Sequence, residues 1–157
     1  MAQEPSQPSP TQPPLRDREI LLAVTEPLRG RFTRVLEGHT LTFAKDCSDA
    51  ERRLGEREYA MIILGVRFDE SRMFEVLRLV RMRQPNRRTP VVCVLGERAA
   101  LSDVMVEGLD HAVKAMLANA FLNFEHFPDD ERGNDRIRRI IDYLILVDGD
   151  MHGSLER

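Results

Sequence analysis

Short apolar runs alternate with amphipathic stretches along most of the chain. Continuous apolar runs at 20–24, 59–64 and 90–95 are typical of strands that are buried on both faces of a sheet. Less apolar stretches at 40–44 and 121–124 have similar lengths and complete a set of five predicted strands. Because strands of this kind need cover on both faces, the pattern predicts helices between them.

Helical patterns occupy the stretches between the predicted strands. The first begins at Pro27, a residue favoured in the first turn of a helix, and ends before Gly38. The second has capping-box spacing from Ser48 to Glu51, and the third must end before Pro85. The third, fourth and fifth helical patterns cover about 73–80, 109–119 and 137–144. Repeated strand–helix units predict a parallel sheet with helices on both faces.

Polar segments flank these elements. Residues 1–16 are rich in Pro, Gln and Ser, a composition that cannot bury enough surface to order the chain, so we expect a disordered leader. Residues 148–157 are polar and contain glycine, which predicts a flexible C-terminal tail. The remaining residues, 17–147, are predicted to form one domain.

Composition excludes several classes of protein. Of the 157 residues, 42% are hydrophobic and 31% charged, as in globular proteins, and the net charge of -3 gives no global attraction to phosphate backbones or anionic lipid. The chain has neither an apolar run of the ~20 residues that span a bilayer nor the apolar core of a secretory signal. Cys47 and Cys93 are too few for a disulfide framework or a closed zinc site. We therefore expect a reduced, cytoplasmic protein without metal or cofactor.

Four segments, in this order, resemble the receiver domain of bacterial two-component response regulators. ILLAVTEP at 20–27 is similar to the receiver opening ILIVDDEP, and residues 59–81 are similar to YDLVLLDIMMPGMDGFELLRRIR. TPVVCVLG at 89–96 resembles TPVIVLTA, and ANAFLNFEHFPDD at 118–130 resembles AGADDYLVKPFDP. The resemblance covers about 18–147. It implies a flavodoxin-like (CheY-like) doubly wound sheet of five parallel strands in the order 2-1-3-4-5, and a role in signal transduction.

The residues that carry receiver chemistry are replaced at the matching positions. Val24 and Thr25 stand where a receiver has its acidic pair, and Gly65 stands where it has the phospho-accepting aspartate. Leu95 and His126 hold the positions of the Ser/Thr and the Lys. Mg²⁺ needs oxygen ligands, and phosphoryl transfer needs an oxygen nucleophile. The resemblance therefore implies a degenerate receiver, or pseudo-receiver, that is neither phosphorylated nor an enzyme.

The segment 97–118 is longer than in the family and leaves two registers open. The preferred register takes 121–124 as the fifth strand and puts His126 at the lysine position. The alternative pairs GLDHAV at 108–113 with the GADDYL motif and puts Lys114 near the lysine position. Neither register restores the missing aspartate.

Two further groups have both a structural and a functional interpretation. Asp103, Glu107 and His111 lie at i, i+4 and i+8, which suits a divalent metal, but Gly108 interrupts them and a solvated face is the simpler interpretation. A local basic patch is interpreted as a solvated face, a protein contact or, least well, a nucleic-acid contact. It comprises Arg78, Arg81, Arg83, Arg87 and Arg88.

Two functions from different classes follow. The first is a signalling module that contacts a protein partner or a second copy through its fourth helix, fifth strand and fifth helix. Its candidate interface residues are Ile140, Tyr143 and Leu144. The alternative is a small-ligand-binding or enzymatic domain that uses the C-terminal ends of the strands. Its functional residues would include Thr25, Glu26, Cys93 or His126.

Overall fold

Strands and helices alternate along the chain in the computed structural model, which describes residues 19–96 and 100–155. The strands are β1 (Glu19–Ala23), β2 (Thr40–Phe43), β3 (Met61–Gly65), β4 (Val91–Leu95) and β5 (Ala120–Asn123). The helices are α1 (Glu26–Val35), α2 (Cys47–Glu56), α3 (Met73–Met82), α4 (Asp103–Ala115) and α5 (Glu131–Leu155). Two short helical turns, Phe68–Ser71 and Phe124–His126, follow β3 and β5.

The five strands form one parallel sheet in the order β2-β1-β3-β4-β5. This confirms the predicted flavodoxin-like topology. The connection from β1 leads outward to β2 on one side, whereas the later connections lead toward β5 on the other. The strand order therefore reverses between β1 and β3, and in doubly wound sheets that reversal opens a crevice at the carboxyl ends of the strands.

Each face of the sheet packs against its own layer of helices, because successive side chains of a strand point to opposite faces. Leu21, Ile62 and Leu64 pack with buried residues of α2, α3 and α4. On the other face, Leu22 and Ile63 pack with buried residues of α1 and α5. The central strands are thus buried on both sides, as their continuous apolar runs predict.

The second helix begins earlier than the sequence predicts. The capping box expected at Ser48 is not what starts α2, because the side chain of Asp46 accepts a hydrogen bond from the Asp49 amide at 2.8 Å. Asp49 in turn accepts a hydrogen bond from the Lys45 amide at 2.9 Å. The first of these bonds satisfies one of the amides that the start of a helix leaves without partners, and the second fixes the residue before the N-cap.

The last two helices differ from their predicted bounds. Ser102 accepts a hydrogen bond from the Met105 amide, so α4 starts at Asp103 and continues through Gly108. It ends at Ala115, before Leu117 takes a left-handed conformation with φ 69°. The helix α5 continues to Leu155, beyond residue 147 where the predicted domain ends.

The predicted leader, 1–16, lies outside the described residues. Within the described ranges, no helix combines the length and the apolar character needed to cross a membrane.

Gly133 allows α5 to begin close to the preceding turn. A Cβ atom at this position would overlap the carbonyl oxygen of Pro128. The Gly133 amide donates a hydrogen bond to Asp130 at 2.7 Å, which fixes the first turn of the helix. Glycine is required here by the close approach of two backbone segments.

We expect Gly133→Ala to lower the free energy of unfolding by about 1–3 kcal/mol, because the backbone must shift to admit the methyl group. The matched control is Gly108→Ala. Gly108 lies inside α4 with no heavy atom within 4 Å of an added Cβ, so alanine there should raise stability by up to about 1 kcal/mol. Urea unfolding of the two variants measures both effects, and a neutral Gly133→Ala variant would contradict this packing.

Candidate functional site

The carboxyl ends of β1, β3, β4 and β5 lie together at one edge of the sheet. The strand registers pair Ala23 with Leu64, Gly65 with Val94, and Leu95 with Asn123. The residues that follow these positions therefore surround the crevice expected at the reversal of strand order. This is the edge at which the sequence resemblance locates the degenerate site.

Val24 and Gly65 are in direct contact at this edge. Val24 is 1% exposed, and a Cβ atom placed on Gly65 would lie 3.3 Å from Val24 Cα and 3.4 Å from Val24 Cγ1. The distance to Val24 Cα is tighter than an ordinary van der Waals contact, and the distance to Cγ1 is at the lower limit of one. A side chain at position 65 would therefore be crowded by Val24 unless that residue shifted by a few tenths of an ångström.

Leu95 and Thr25 have different surroundings. Leu95 is 2% exposed and belongs to the buried part of β4. Thr25 precedes α1 as its N-cap residue, but its side chain makes no capping hydrogen bond, and it lines a cavity at this edge. Of the four residues named for the alternative ligand-binding hypothesis, Thr25 is the one that lines this cavity, since Glu26, Cys93 and His126 lie outside its lining.

The position of β5 agrees with the preferred register, although the strand begins and ends one residue earlier than predicted. It covers Ala120–Asn123, whereas the residues of the alternative register belong to α4. Lys114 is exposed in the last turn of α4 and forms an ion pair with Asp110 at 2.9 Å. His126 is exposed at the end of the short turn after β5. Phe124, which directly follows the strand, lines the cavity instead.

The cavity has a volume of about 400 Å³ and a mixed lining. Apolar walls come from residues that follow or end the strands, together with one residue of α1. They include Leu28, Val66, Val94 and Phe124. The charged lining residues are Arg31, Arg34, Arg67 and Asp129. The described lining thus has three guanidinium groups and one carboxylate, the opposite of a carboxylate site for Mg²⁺.

Arg31 joins α1 to the turn before α5. It is 5% exposed, and its guanidinium group donates hydrogen bonds to Asn134 at 3.0 Å and to the carbonyls of Phe127 and Pro128, the latter at 3.0 Å. Its guanidinium carbon also lies 4.5 Å from the centre of the Phe124 ring. These contacts fix the guanidinium group and the aromatic wall of the cavity relative to each other.

Arg34 and Asp129 form a bidentate pair at the cavity. The two terminal nitrogens of Arg34 donate to the carboxylate oxygens at 3.1 and 2.8 Å. The hydrogen bonds from Arg34, followed by one from Asn134, lower the pKa of Asp129 to about 2. The Arg34 side chain is 61% exposed, so the pair is solvated and contributes little to stability.

Two acidic residues after β3 lie outside the lining of this cavity. Asp69, Glu70 and Ser71 take consecutive left-handed conformations, with φ of 46°, 57° and 67°. The Asp69 carboxylate accepts a hydrogen bond from the Cys47 amide at 2.9 Å, so it serves the start of α2. Left-handed non-glycine residues are costly, and this stretch turns the chain from β3 toward α3.

Both cysteines remain thiols at neutral pH. Cys93 is fully buried in β4, and burial raises its pKa to about 12. Partial burial, followed by the charges of Glu75 and Asp69, raises the pKa of the Cys47 thiol as well. Since the thiolate is the reactive form, neither side chain is activated as a nucleophile.

The other candidate groups of the sequence lie apart from the cavity. Glu107 and His111 are exposed on α4, with 3.7 Å between His111 Nε2 and Glu107 Oε1. In the described ranges, no group of three or more His, Cys, Asp or Glu residues is arranged to hold a metal ion. Within the basic patch, Arg81 donates to the carbonyl oxygen of Leu117 at 2.8 Å and Arg83 forms an ion pair with Glu51. Part of that patch therefore stabilises the fold.

The candidate interface residues of α5 differ in exposure. Ile137, Ile141 and Ile145 form the buried stripe of the helix. Ile140 and Leu144 flank this stripe and pack against the same core while remaining partly exposed, whereas Tyr143 is 63% exposed. Tyr143 therefore has its ring on the outer side of the helix.

The charged lining of the cavity was not predicted from the sequence. Arg31 lies three residues after Leu28 and four before Val35, so its helical spacing places it on the apolar face of α1. An arginine at such a position is a signal of a buried charge with long-range partners. The partners themselves lie about a hundred residues away in sequence, at Phe127, Pro128 and Asn134.

Comparisons with known proteins agree with this topology. No protein-family model matches the chain, and no curated protein matches it. A response regulator from Hahella chejuensis is similar in structure, with a TM-score of 0.64, 21% identity, and coverage of 84% of this chain and 98% of that one. The signal receiver domain of an HD domain-containing protein from Pseudomonas fluorescens Pf-5 has a TM-score of 0.68, 20% identity, and coverage of 95% and 99%.

A third similar structure is the receiver domain of a sensor histidine kinase from Pseudomonas aeruginosa PAO1. It has a TM-score of 0.58, 20% identity, and coverage of 82% of this chain and 98% of that one. In that protein a magnesium ion is coordinated in the active-site cleft. These likenesses show that the chain has the flavodoxin-like fold of receiver domains.

The Arg34–Asp129 pair predicts a measurable pH dependence. Because Asp129 has a pKa of about 2 in the folded chain, against 3.8 ordinarily, its contribution to stability is present above pH 4 and is lost as the pH falls toward 2. NMR titration of the carboxyl carbon should give the low value directly. Arg34→Gln should raise it toward 3.8, whereas Arg139→Gln, which breaks the pair with Asp135, should leave it unchanged. An ordinary pKa for Asp129 in the unmodified protein would contradict the assigned pair.

Proposed function

We propose that this chain is a non-catalytic signalling module of the receiver type, which acts through protein contacts and is not phosphorylated. The observation that carries the proposal is the contact between Val24 and Gly65. Position 65 matches the phospho-acceptor of the family in the sequence resemblance. It has no side chain, and Val24 occupies the adjoining space.

The electrostatics of the cavity support the same proposal. Mg²⁺ binding and phosphoryl transfer both need carboxylates close to the ends of β1 and β3. Val24 and Thr25 follow β1 without charge, and Asp129 is the carboxylate among the described lining residues. Arg34 bonds both oxygens of Asp129. The described lining residues therefore include three guanidinium groups and one carboxylate, which Arg34 already engages.

The surface around β5 supports a role in protein contacts. β5 is an edge strand, with α4 on one face of the sheet and α5 on the other. Both helices expose large apolar side chains, and on α4 these are Val104 at 79% and Met105 at 56%. On α5 they are Tyr143 at 63% and Leu146 at 50%. Exposed apolar side chains on the two helices that follow and precede an edge strand favour association with another protein surface.

The known proteins that share this fold support a signalling role by analogy. They include a response regulator and receiver domains of a sensor kinase and an HD domain-containing protein. A shared fold does not define a function, so the proposal depends on the site residues. Those residues favour a module that has the receiver scaffold and its surfaces but lacks the groups that phosphoryl transfer needs.

Phosphorylation is tested by incubating the full chain with acetyl phosphate and Mg²⁺ and measuring its intact mass. We expect no phosphoryl adduct, since Gly65 offers no nucleophile, and we expect Gly65→Asp alone to stay unreactive because Val24 and Thr25 cannot complete a Mg²⁺ site. A receiver domain with an intact aspartate serves as the reagent control. Amide NMR of the unmodified chain should show no saturable shift at residues 24–26 and 65 with millimolar Mg²⁺.

Two results would refute the phosphorylation-independent account. One is an adduct on the unmodified chain that hydroxylamine removes, as it removes an acyl phosphate. The other is saturable Mg²⁺ binding that shifts the amides at the ends of β1 and β3. Either would mean that carboxylates outside this cavity assemble a working site.

Protein contact through α5 is tested by charge substitution. We expect Tyr143→Glu to weaken self-association or partner binding at least tenfold, because it places a charge in an apolar contact. Ser48→Glu is the control, since Ser48 is an exposed residue of α2, next to the opposite edge of the sheet. Analytical ultracentrifugation measures self-association. A chain that remains monomeric at high concentration, and whose partner binding Tyr143→Glu leaves unchanged, would rule out this surface.

A further inference from the structure

The cavity at the strand ends is open, and its described lining does not provide the several carboxylates that a divalent cation needs. Its volume of about 400 Å³ lies within the range of natural small-ligand sites. It occupies the crevice where the strand order reverses, which is the usual ligand position in doubly wound sheets. The residues that line it therefore indicate which kind of ligand it can bind.

One part of the lining is rigid and apolar. Val94 and Phe124 are 0% and 1% exposed, and Leu28 and Val66 are partly exposed beside them. The Phe124 ring lies 5.5 Å from the Phe32 ring, centre to centre, and the Arg31 guanidinium lies against it. Val94 and Phe124 are the buried part of this wall, and the partly exposed Leu28 and Val66 are the apolar side chains that an entering ligand can contact.

The other part of the lining is cationic. Arg31, Arg34 and Arg67 line the cavity together with Asp129, so guanidinium groups outnumber carboxylates among the described lining residues. The Thr25 hydroxyl makes no capping bond and adds a neutral donor. The Arg34 side chain is 61% exposed, so its guanidinium group is accessible to an incoming anion that competes with Asp129 for it.

We propose that this cavity binds a small organic anion with an apolar body, such as an aromatic or aliphatic carboxylate, sulfonate or phosphate ester. The apolar body packs against Leu28 and Val66, the partly exposed apolar residues of the lining, and the anionic group pairs with Arg34 beside Thr25. Arg31 acts as a positioning residue that holds the aromatic wall and adds positive potential. The inference goes beyond the proposed signalling role and does not depend on it.

The probe is 1-anilinonaphthalene-8-sulfonate, which combines an aromatic body with a sulfonate, and N-phenyl-1-naphthylamine is its uncharged counterpart. We expect saturable fluorescence enhancement with the sulfonate and binding at least fivefold weaker with the neutral amine. Amide NMR should place the shifts at residues 25–28, 66–67 and 94–96. Equal binding of both probes, or shifts confined to exposed apolar residues such as Val104 and Tyr143, would overturn the proposal.

Two variants should move the sulfonate affinity in opposite directions. Arg34→Gln should weaken binding about fivefold, because a charge-assisted hydrogen bond is lost. Asp129→Asn should tighten it, because the competing carboxylate is gone while the side-chain shape is kept. Arg139→Gln and Asp135→Asn make the same charge changes in an exposed pair on α5 and should have no effect. Identical effects of the cavity pair and the α5 pair would mean that only net charge matters, and would overturn the assignment.

Discussion

Burial of β1, β3 and β4 on both faces determines how the rest of this molecule is arranged. Parallel strands of this kind are stable only when helices cover both sides, and the apolar side chains of the strands alternate between two helical layers. The crossover connections then bring all carboxyl strand ends to one edge. Whatever chemistry the chain has at that edge is therefore set by the few residues that follow each strand.

The residues at this edge are mostly apolar or positively charged. Val24 crowds the position of Gly65, and the described lining of the cavity is apolar with three arginines and one aspartate. Arg31 connects these features, since its buried guanidinium group bonds the turn before α5 and lies against Phe124. Removing the hydrogen bonds of a buried charge costs much free energy. These bonds therefore hold α1 against the turn before α5.

Much of the fold was predictable because its signals are local. Apolar runs located the strands within about two residues, and helical spacing identified the helices between them. Each failure has a specific physical cause. Asp46 caps α2 through its own side chain, although Ser48 has the expected spacing. Phe124, and not His126, reaches the cavity, because the pairing of Leu95 with Asn123 sets where the strand ends. The role of Arg31 depends on partners about a hundred residues away.

The central claim is that Val24 leaves too little room for a side chain at position 65, at the end of β3. A double-mutant cycle tests this claim most directly. Glycine in an uncrowded strand is normally improved by alanine. If Val24 closes the site, Gly65→Ala lowers the free energy of unfolding in the unmodified protein by about 1–3 kcal/mol. In a Val24→Ala background the contact with Val24 Cγ1 is removed while the contact with Cα remains, so the same change is less destabilising, with a coupling of about 0.5 kcal/mol or more. Equal effects in both backgrounds, or stabilisation of the unmodified protein by Gly65→Ala, would contradict the claim.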